Sequence, residues 1–120
     1  MTPGSRVRPH NAPEDYADLL APIPEGVQFS ARFRQEIDLW HLFTRQRREL
    51  ERLLPKAMEQ IRRDGMIWVS WPKRASGVAT DVTEDVVREV ALPMGLVDVK
   101  VCAVDATWSG LKLVILKALR

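Results

Sequence analysis

The sequence predicts an α/β domain: a mainly parallel, three-layer sheet with helices on both faces and a C-terminal antiparallel hairpin. Three observations predict it. Apolar runs of strand length alternate with stretches whose apolar residues recur at helical spacing. The helical stretches are long enough to serve as crossovers, which parallel pairing requires. The last two strand-like runs, by contrast, are separated only by Ala106-Thr107-Trp108-Ser109-Gly110, which reads as a hairpin.

The elements follow in order. Arg6 to Arg8 is a short first strand, which Pro9 should stop because it cannot donate to a ladder. Pro13 suits the first position of a helix through Tyr16, Leu19 and Leu20, which Pro22, Pro24 and Gly26 end. A second strand runs from Val27 to about Phe33. Ile37 to Phe43 is apolar on both faces and reads as a buried strand, with Thr44 as a cap for the next helix. In that helix Leu50, Leu53, Leu54, Ala57, Met58 and Ile61 form one apolar stripe. Pro55 should kink or restart it, and Asp64-Gly65 should stop it. Met66 to Trp71 is a further strand, followed by a loop from Pro72 to Ala79. Asp81 and Glu84 make a capping pair, with Thr80 and Thr83 competing for the cap. Val82, Val86, Val87, Val90 and Ala91 give that last helix its buried stripe before Pro93 and Gly95 close it. Val97 to Asp105 and Leu111 to Lys117 are the hairpin strands.

Composition narrows the function classes. The 120 residues suit one domain, here 1–120, with a core of its own but no room for separate cofactor and substrate domains. The single cysteine, Cys102, excludes an internal disulfide and any multi-cysteine zinc site, and only His10 and His41 accompany it as soft ligands. No metal and no cofactor are therefore expected. Apolar runs fall far short of the ~20 residues of a membrane span, and the N-terminus lacks a signal-peptide core. The expectation is a cytoplasmic protein with no membrane partner.

Open α/β sheets bind ligands beyond the carboxyl ends of their parallel strands. The first strand delivers Asn11 there, the buried strand Thr44 and Arg45, and the next Pro72, Lys73, Arg74, Ser76 and Gly77. The last delivers Asp105, Thr107, Trp108 and Ser109. The candidate ligand-binding rim is thus Lys73, Arg74, Ser76, Asp105, Thr107, Trp108 and Ser109: two cations, hydroxyls, a carboxylate and an indole on one edge. The helix start near Thr80 to Thr83 should turn free amides toward the same edge, which favours an anion. Each feature also has a plain reading. Lys73-Arg74 is then solvated charge, Thr80 to Glu84 a helix cap, and Trp108 a cover for the sheet end. No nucleophile–base pair or paired carboxylates stand out, so no catalytic residue is assigned.

Other candidates read as structure. His41, mid-strand beside Leu42 and Phe43, reads as a satisfied core or interface histidine. Cys102, between Val101 and Ala103, reads as a small core residue, with Asp98 and Lys100 on its strand face. Trp40, Trp68 and Trp71 read as core. From Arg45 to Arg63 seven basic residues face three glutamates, a surface that a phosphate backbone would use. Glu51–Arg48 and Glu59–Arg63 spacing allows internal pairing instead, and no nucleic-acid motif accompanies it. Where a dinucleotide or adenosylmethionine site needs a glycine-rich turn, the chain has Pro9-His10-Asn11-Ala12-Pro13; nor is there a Walker A sequence.

The order of elements is similar to the second half of the Rossmann-like methyltransferase fold, an analogy of fold and not of function. Specific residues add a second resemblance. Gly65-Met66-Ile67-Trp68-Val69-Ser70-Trp71-Pro72-Lys73-Arg74-Ala75-Ser76-Gly77, Thr80-Asp81-Val82-Thr83-Glu84, Gly95 to Asp105 and Thr107-Trp108-Ser109-Gly110-Leu111 resemble a family of small bacterial proteins catalogued as a domain of unknown function. Pro3-Gly4-Ser5-Arg6-Val7 and Asn11-Ala12-Pro13 resemble its entry into the first strand. The family reads more apolar where this chain has Arg8-Pro9-His10, and it tends to begin further upstream. A homodimer is one way to protect an edge left uncovered there.

The functional expectation is a non-catalytic module that binds an anionic small molecule or a protein partner at the rim. A small enzyme would use the same rim, with Lys73 as electrostatic stabiliser and Asp105 as base. Nucleic-acid binding through the helix at 45–63 is the third reading, and nucleic acid is not the expected partner.

Overall fold

The computed structural model describes residues 2–120. Six strands form one sheet in the order β2-β1-β3-β4-β6-β5. They are β1 (Arg6–His10), β2 (Gln28–Phe29), β3 (Ile37–Phe43), β4 (Ile61–Pro72), β5 (Leu96–Ala103) and β6 (Trp108–Ile115). The first four run parallel, and β6 lies antiparallel between β4 and β5. The helices are α1 (Tyr16–Leu20), α2 (Arg47–Gln60) and α3 (Glu84–Ala91). This is the predicted α/β architecture with its closing antiparallel pair.

The two sheet faces are covered unequally. Trp40, Leu42, Ile67 and Val69 meet Leu50, Leu54 and Ala57 of α2 and Val87 and Ala91 of α3 in the main core. A second cluster, Val7, Tyr16, Leu39 and Phe43, lies on the other face. There the five-residue α1 supplies the only regular helix among the described residues, which leaves Met66, Trp68 and Trp108 partly buried at the cluster's margin. Full burial of a Leu- or Phe-sized side chain contributes about 1.5–3 kcal/mol, so the α2–α3 face holds most of the fold's stability.

Several boundaries depart from the sequence reading. β1 passes through Pro9 to His10. The Ser5 and Val7 carbonyls accept from Gln28 and Ser30, so alternation turns the Pro9 nitrogen toward that same side, beyond the end of β2, where no partner strand requires a donor. β2 is two residues long rather than running to Phe33; Phe33 instead lies beneath the Arg6 guanidinium and gives its carbonyl to Arg8. Pro55 sits inside an unbroken α2. The carbonyl its missing N–H would have satisfied belongs to Glu51, on the exposed side of the helix, where solvent can reach it.

Asp64-Gly65 is no terminator either, because the chain passes directly from α2 into β4 at Ile61. The pairing slips between Ile37–Ile61 and Leu39–Met66, and the surplus residues bulge. Gly65 is needed in that bulge: a Cβ would lie 3.0 Å from the carbonyl oxygens of Arg62 and Ile37. The last hairpin is also displaced. Trp108, Ser109 and Gly110 belong to β6, and the connection is Val104 to Thr107.

Candidate functional site

The carboxyl ends of β1, β3 and β4 lie at His10, Phe43 and Pro72, and β5 points the same way. The loops after β4 and β5 meet on this edge, where the Lys73 N–H donates to the Thr107 carbonyl at 2.7 Å. Most predicted rim residues there are occupied by local structure. The Asp105 carboxylate accepts from the N–H groups of Thr107 (2.8 Å) and Trp108 (2.7 Å), a turn that shapes the hairpin. The Ser76 hydroxyl donates to the Lys73 carbonyl at 2.6 Å. Ser109 is held in the ladder opposite Trp71 and Ala103. Arg74 is exposed in a short 3-10 turn.

The concave part of the edge lies one strand further along. A crevice of about 510 Å³ is lined by Asn11, Ala12, Phe43, Thr44, Arg45, Gln46, Glu49 and Trp108. It opens between β1 and β3, where the chain leaves β1 for β2 on one side and later returns to add β3 on the other. At such a switch point the connections diverge and leave a gap. Of the predicted rim residues Trp108 alone lines it; Asn11, Thr44 and Arg45, assigned to this edge from strand order, join it. Sequence reasoning missed Ala12, Phe43, Gln46 and Glu49. Glu49 carried a signal, being a first-turn residue of the helix that follows the central strand.

The crevice residues are positioned by backbone. Asn11 adopts φ 56°, a left-handed conformation that asparagine tolerates better than most side chains, and its amide donates to Glu49 Oε1 at 3.3 Å. The Thr44 N–H donates to the Ser70 carbonyl. The Arg45 carbonyl accepts from the Thr80 hydroxyl at 2.8 Å and the Asp81 N–H at 3.2 Å. Phe43 meets Trp108 edge to face at 5.0 Å, giving the crevice an aromatic wall. His10, just before Asn11, is held below its usual pKa by burial first and then by Arg8 and Arg52, against the opposing pull of Glu49.

The starts of α2 and α3 each use one of their amides in a side-chain cap. Thr44 does not cap α2: its hydroxyl bonds to Gln46, and Asp81 accepts from the first helical N–H, that of Arg47, at 2.7 Å. Thr83 caps α3 through the Val86 N–H in place of the Asp81–Glu84 pair. The charge pairs on α2 also differ from expectation. Arg47 bonds Glu89 at 2.7 Å and approaches Glu51, whereas Arg48 reaches Gln46. Arg63 lies beyond the helix in β4, so Glu59 and Arg63 are not helical neighbours.

One arrangement has the outline of a catalytic relay. His41 Nε2 and Ser70 Oγ are 2.7 Å apart, and His41 Nδ1 meets the Tyr16 hydroxyl at 3.0 Å. Ser70 is fully buried and His41 only 3% exposed, so the pair presents almost no surface to solvent. Burial pushes the His41 pKa down to about 3 and raises that of Tyr16. His41 is therefore the satisfied core histidine of the sequence reading, in a neutral buried network. Cys102 is half-buried. A register shift between Asp98 and Lys100 removes Asp98 from its face, turning that carboxylate to Arg88 of α3 at 2.9 Å.

Among the described residues no three His, Cys, Asp or Glu side chains cluster as a metal site. Among the same residues no helix is long and apolar enough to cross a membrane.

The strand order and the closing antiparallel pair define a methyltransferase-like α/β fold. The structure is similar to the fibrillarin pre-rRNA processing protein of Methanococcus jannaschii, with TM-score 0.62 and 12% identity over 95% of this chain and 67% of that one. It is also similar to the ribosomal protein L11 methylase of Lactobacillus delbrueckii subsp. bulgaricus, with TM-score 0.55 and 13% identity over 93% and 58%. The chain thus spans about two-thirds of the first and less of the second, and at these identities the likeness establishes the fold alone. Residues 32–117 match the model of a family described as protein of unknown function (DUF3052), and the chain belongs to that family. No curated protein matches it.

The fold relatives raise the question of adenosylmethionine, and the crevice does not fit it. After β1 the turn carries the Asn11, Ala12 and Pro13 side chains where a close backbone approach needs glycine, and Asn11 is tied to Glu49. β2 ends in Phe29-Ser30, with no carboxylate for a ribose. No methyl-transfer step is derived.

Proposed function

We propose that this protein is a non-catalytic binding module that takes a small molecule bearing an anionic group into the crevice between β1 and β3. Arg45 carries this reading. Its carbonyl is clamped by Thr80 and Asp81, while its guanidinium makes no ion pair among the described residues. A guanidinium without an internal carboxylate partner is available to an anion at the crevice mouth. The Trp108 indole, braced edge to face by the buried Phe43 ring, offers an apolar surface to the rest of the ligand, and the hydrogen-bonded Asn11–Glu49 pair forms the polar wall of the crevice. Binding is favoured over catalysis because Asp105, the candidate base, already accepts two backbone hydrogen bonds.

Native mass spectrometry of the purified protein, followed by a thermal-shift screen of anionic metabolites, tests the reading. Hits should lose affinity about tenfold or more in Arg45→Gln, the range for a lost charge-assisted hydrogen bond. Anionic hits that bind Arg45→Gln and Trp108→Ala as well as the parent protein would place the site elsewhere.

A further inference from the structure

A second cavity, of about 240 Å³, opens on the thinly covered α1 face. Leu19 and Leu20 of α1, His41 of β3, Trp68 of β4, Cys102 of β5 and Val104 just beyond it contribute to its lining. It exists because α1 is too short to extend over β4 and β6. Its shape is held by Gly110, at which a Cβ would lie 3.0 Å from Val104 and 3.1 Å from the Trp68 ring. The missing side chain lets the indole and Val104 settle against the β6 backbone.

We propose that this cavity is a binding site for a small, uncharged, apolar molecule of one or two rings or a short acyl chain. The lining chemistry fixes the charge. None of the lining residues is Asp, Glu, Lys or Arg, and both nitrogens of neutral His41 are engaged by Tyr16 and Ser70. An ion placed there would lose its hydration without gaining a partner. The volume fixes the size. An apolar cavity of roughly 150 Å³ accommodates benzene, so about 240 Å³ suits a molecule of one or two rings. The Cys102 thiol is in the lining, and as the chain's single cysteine it reports on occupancy.

Indole is a suitable probe. Alkylation of Cys102 by N-ethylmaleimide, followed by intact mass, should slow saturably, about tenfold when indole stands ~10-fold above its dissociation constant. In 15N-labelled protein the Trp68 indole N–H resonance should shift with the same saturation curve. Cys102→Phe, which fills the space, should abolish that shift. Because the first two readouts use the unaltered chain, failure of this variant to fold leaves the test intact. Alkylation indifferent to indole, or a Trp68 shift that stays linear to the solubility limit, overturns the proposal. So does protection of Cys102 that rises with protein concentration alone, which would assign the face to a second copy of the chain. Loss of anionic ligands in Arg45→Gln bears on the other crevice and leaves this outcome untouched.

Discussion

The Asp81 carboxylate accepts the backbone N–H of Arg47 at 2.7 Å, so α2 is capped by a residue 34 positions further along the chain. The Asp81 N–H in turn donates to the Arg45 carbonyl, which binds the loop before α3 to the entry of α2. A cap normally comes from the residue beside the helix; here Gln46 holds that position and its side chain does not cap. Asp81→Ala should lower stability by about 1 kcal/mol in urea unfolding, with Asp81→Asn losing less. Because the same contact fixes Arg45, the alanine variant should also weaken binding of anionic ligands.

His41 makes stability depend on pH in a defined window. Its folded-state pKa lies near 3, below the ordinary 6.5, so the unfolded chain takes up the proton first. Stability is complete above about pH 6.5 and falls by up to about 1.4 kcal/mol per unit as pH drops toward the folded value. Urea midpoints measured between about pH 7 and pH 5, where most carboxylates remain ionised, should show this slope. His41→Gln should be less stable at neutral pH and should lose most of the slope.

Asp105 separates a structural carboxylate from a catalytic one. Its two backbone bonds place Trp108 at the start of β6. Asp105→Asn preserves an acceptor oxygen and should retain most stability and ligand affinity. Asp105→Ala should cost about 1–2 kcal/mol and weaken binding through displaced Trp108. A general base would respond in the opposite way, with the asparagine variant as inactive as the alanine.

Gly110→Ala tests the packing of the α1 face. The added methyl meets Val104 and Trp68 at near 3 Å, and overpacking of this kind costs about 1–3 kcal/mol. Intrinsic fluorescence of the Trp68 environment should change as well. Unaltered stability and spectrum would mean that Trp68 is not seated against the strand.

Arg47→Ala should change stability by less than about 1 kcal/mol, because its partners Glu51 and Glu89 are exposed. If the basic face of α2 binds nucleic acid, joint substitution of Arg47 and Arg48 should reduce both that binding and its salt dependence.

The sequence by itself determined the alternation of strands and helices. Local periodicity carries that information: the stripe from Leu50 to Ala57 and the two-sided apolar run from Ile37 to Phe43 each admit one reading. It also determined which residues reach the carboxyl edge, since strand direction follows once the crossovers are assigned. Tertiary structure decided where that edge is concave. Strand order is a non-local property, and the gap between β1 and β3 exists because β2 and β3 lie on opposite sides of β1. Hence Glu49 and Arg45 line the crevice while Lys73 and Asp105, equally legible as loop residues, are occupied with shaping their own turns. Tertiary structure likewise joined Ser70, His41 and Tyr16, which no sequence spacing links, and moved Asp81 from one helix to cap another. In each case the deciding partner is distant along the chain, and only the packing of the sheet brings it within hydrogen-bond reach.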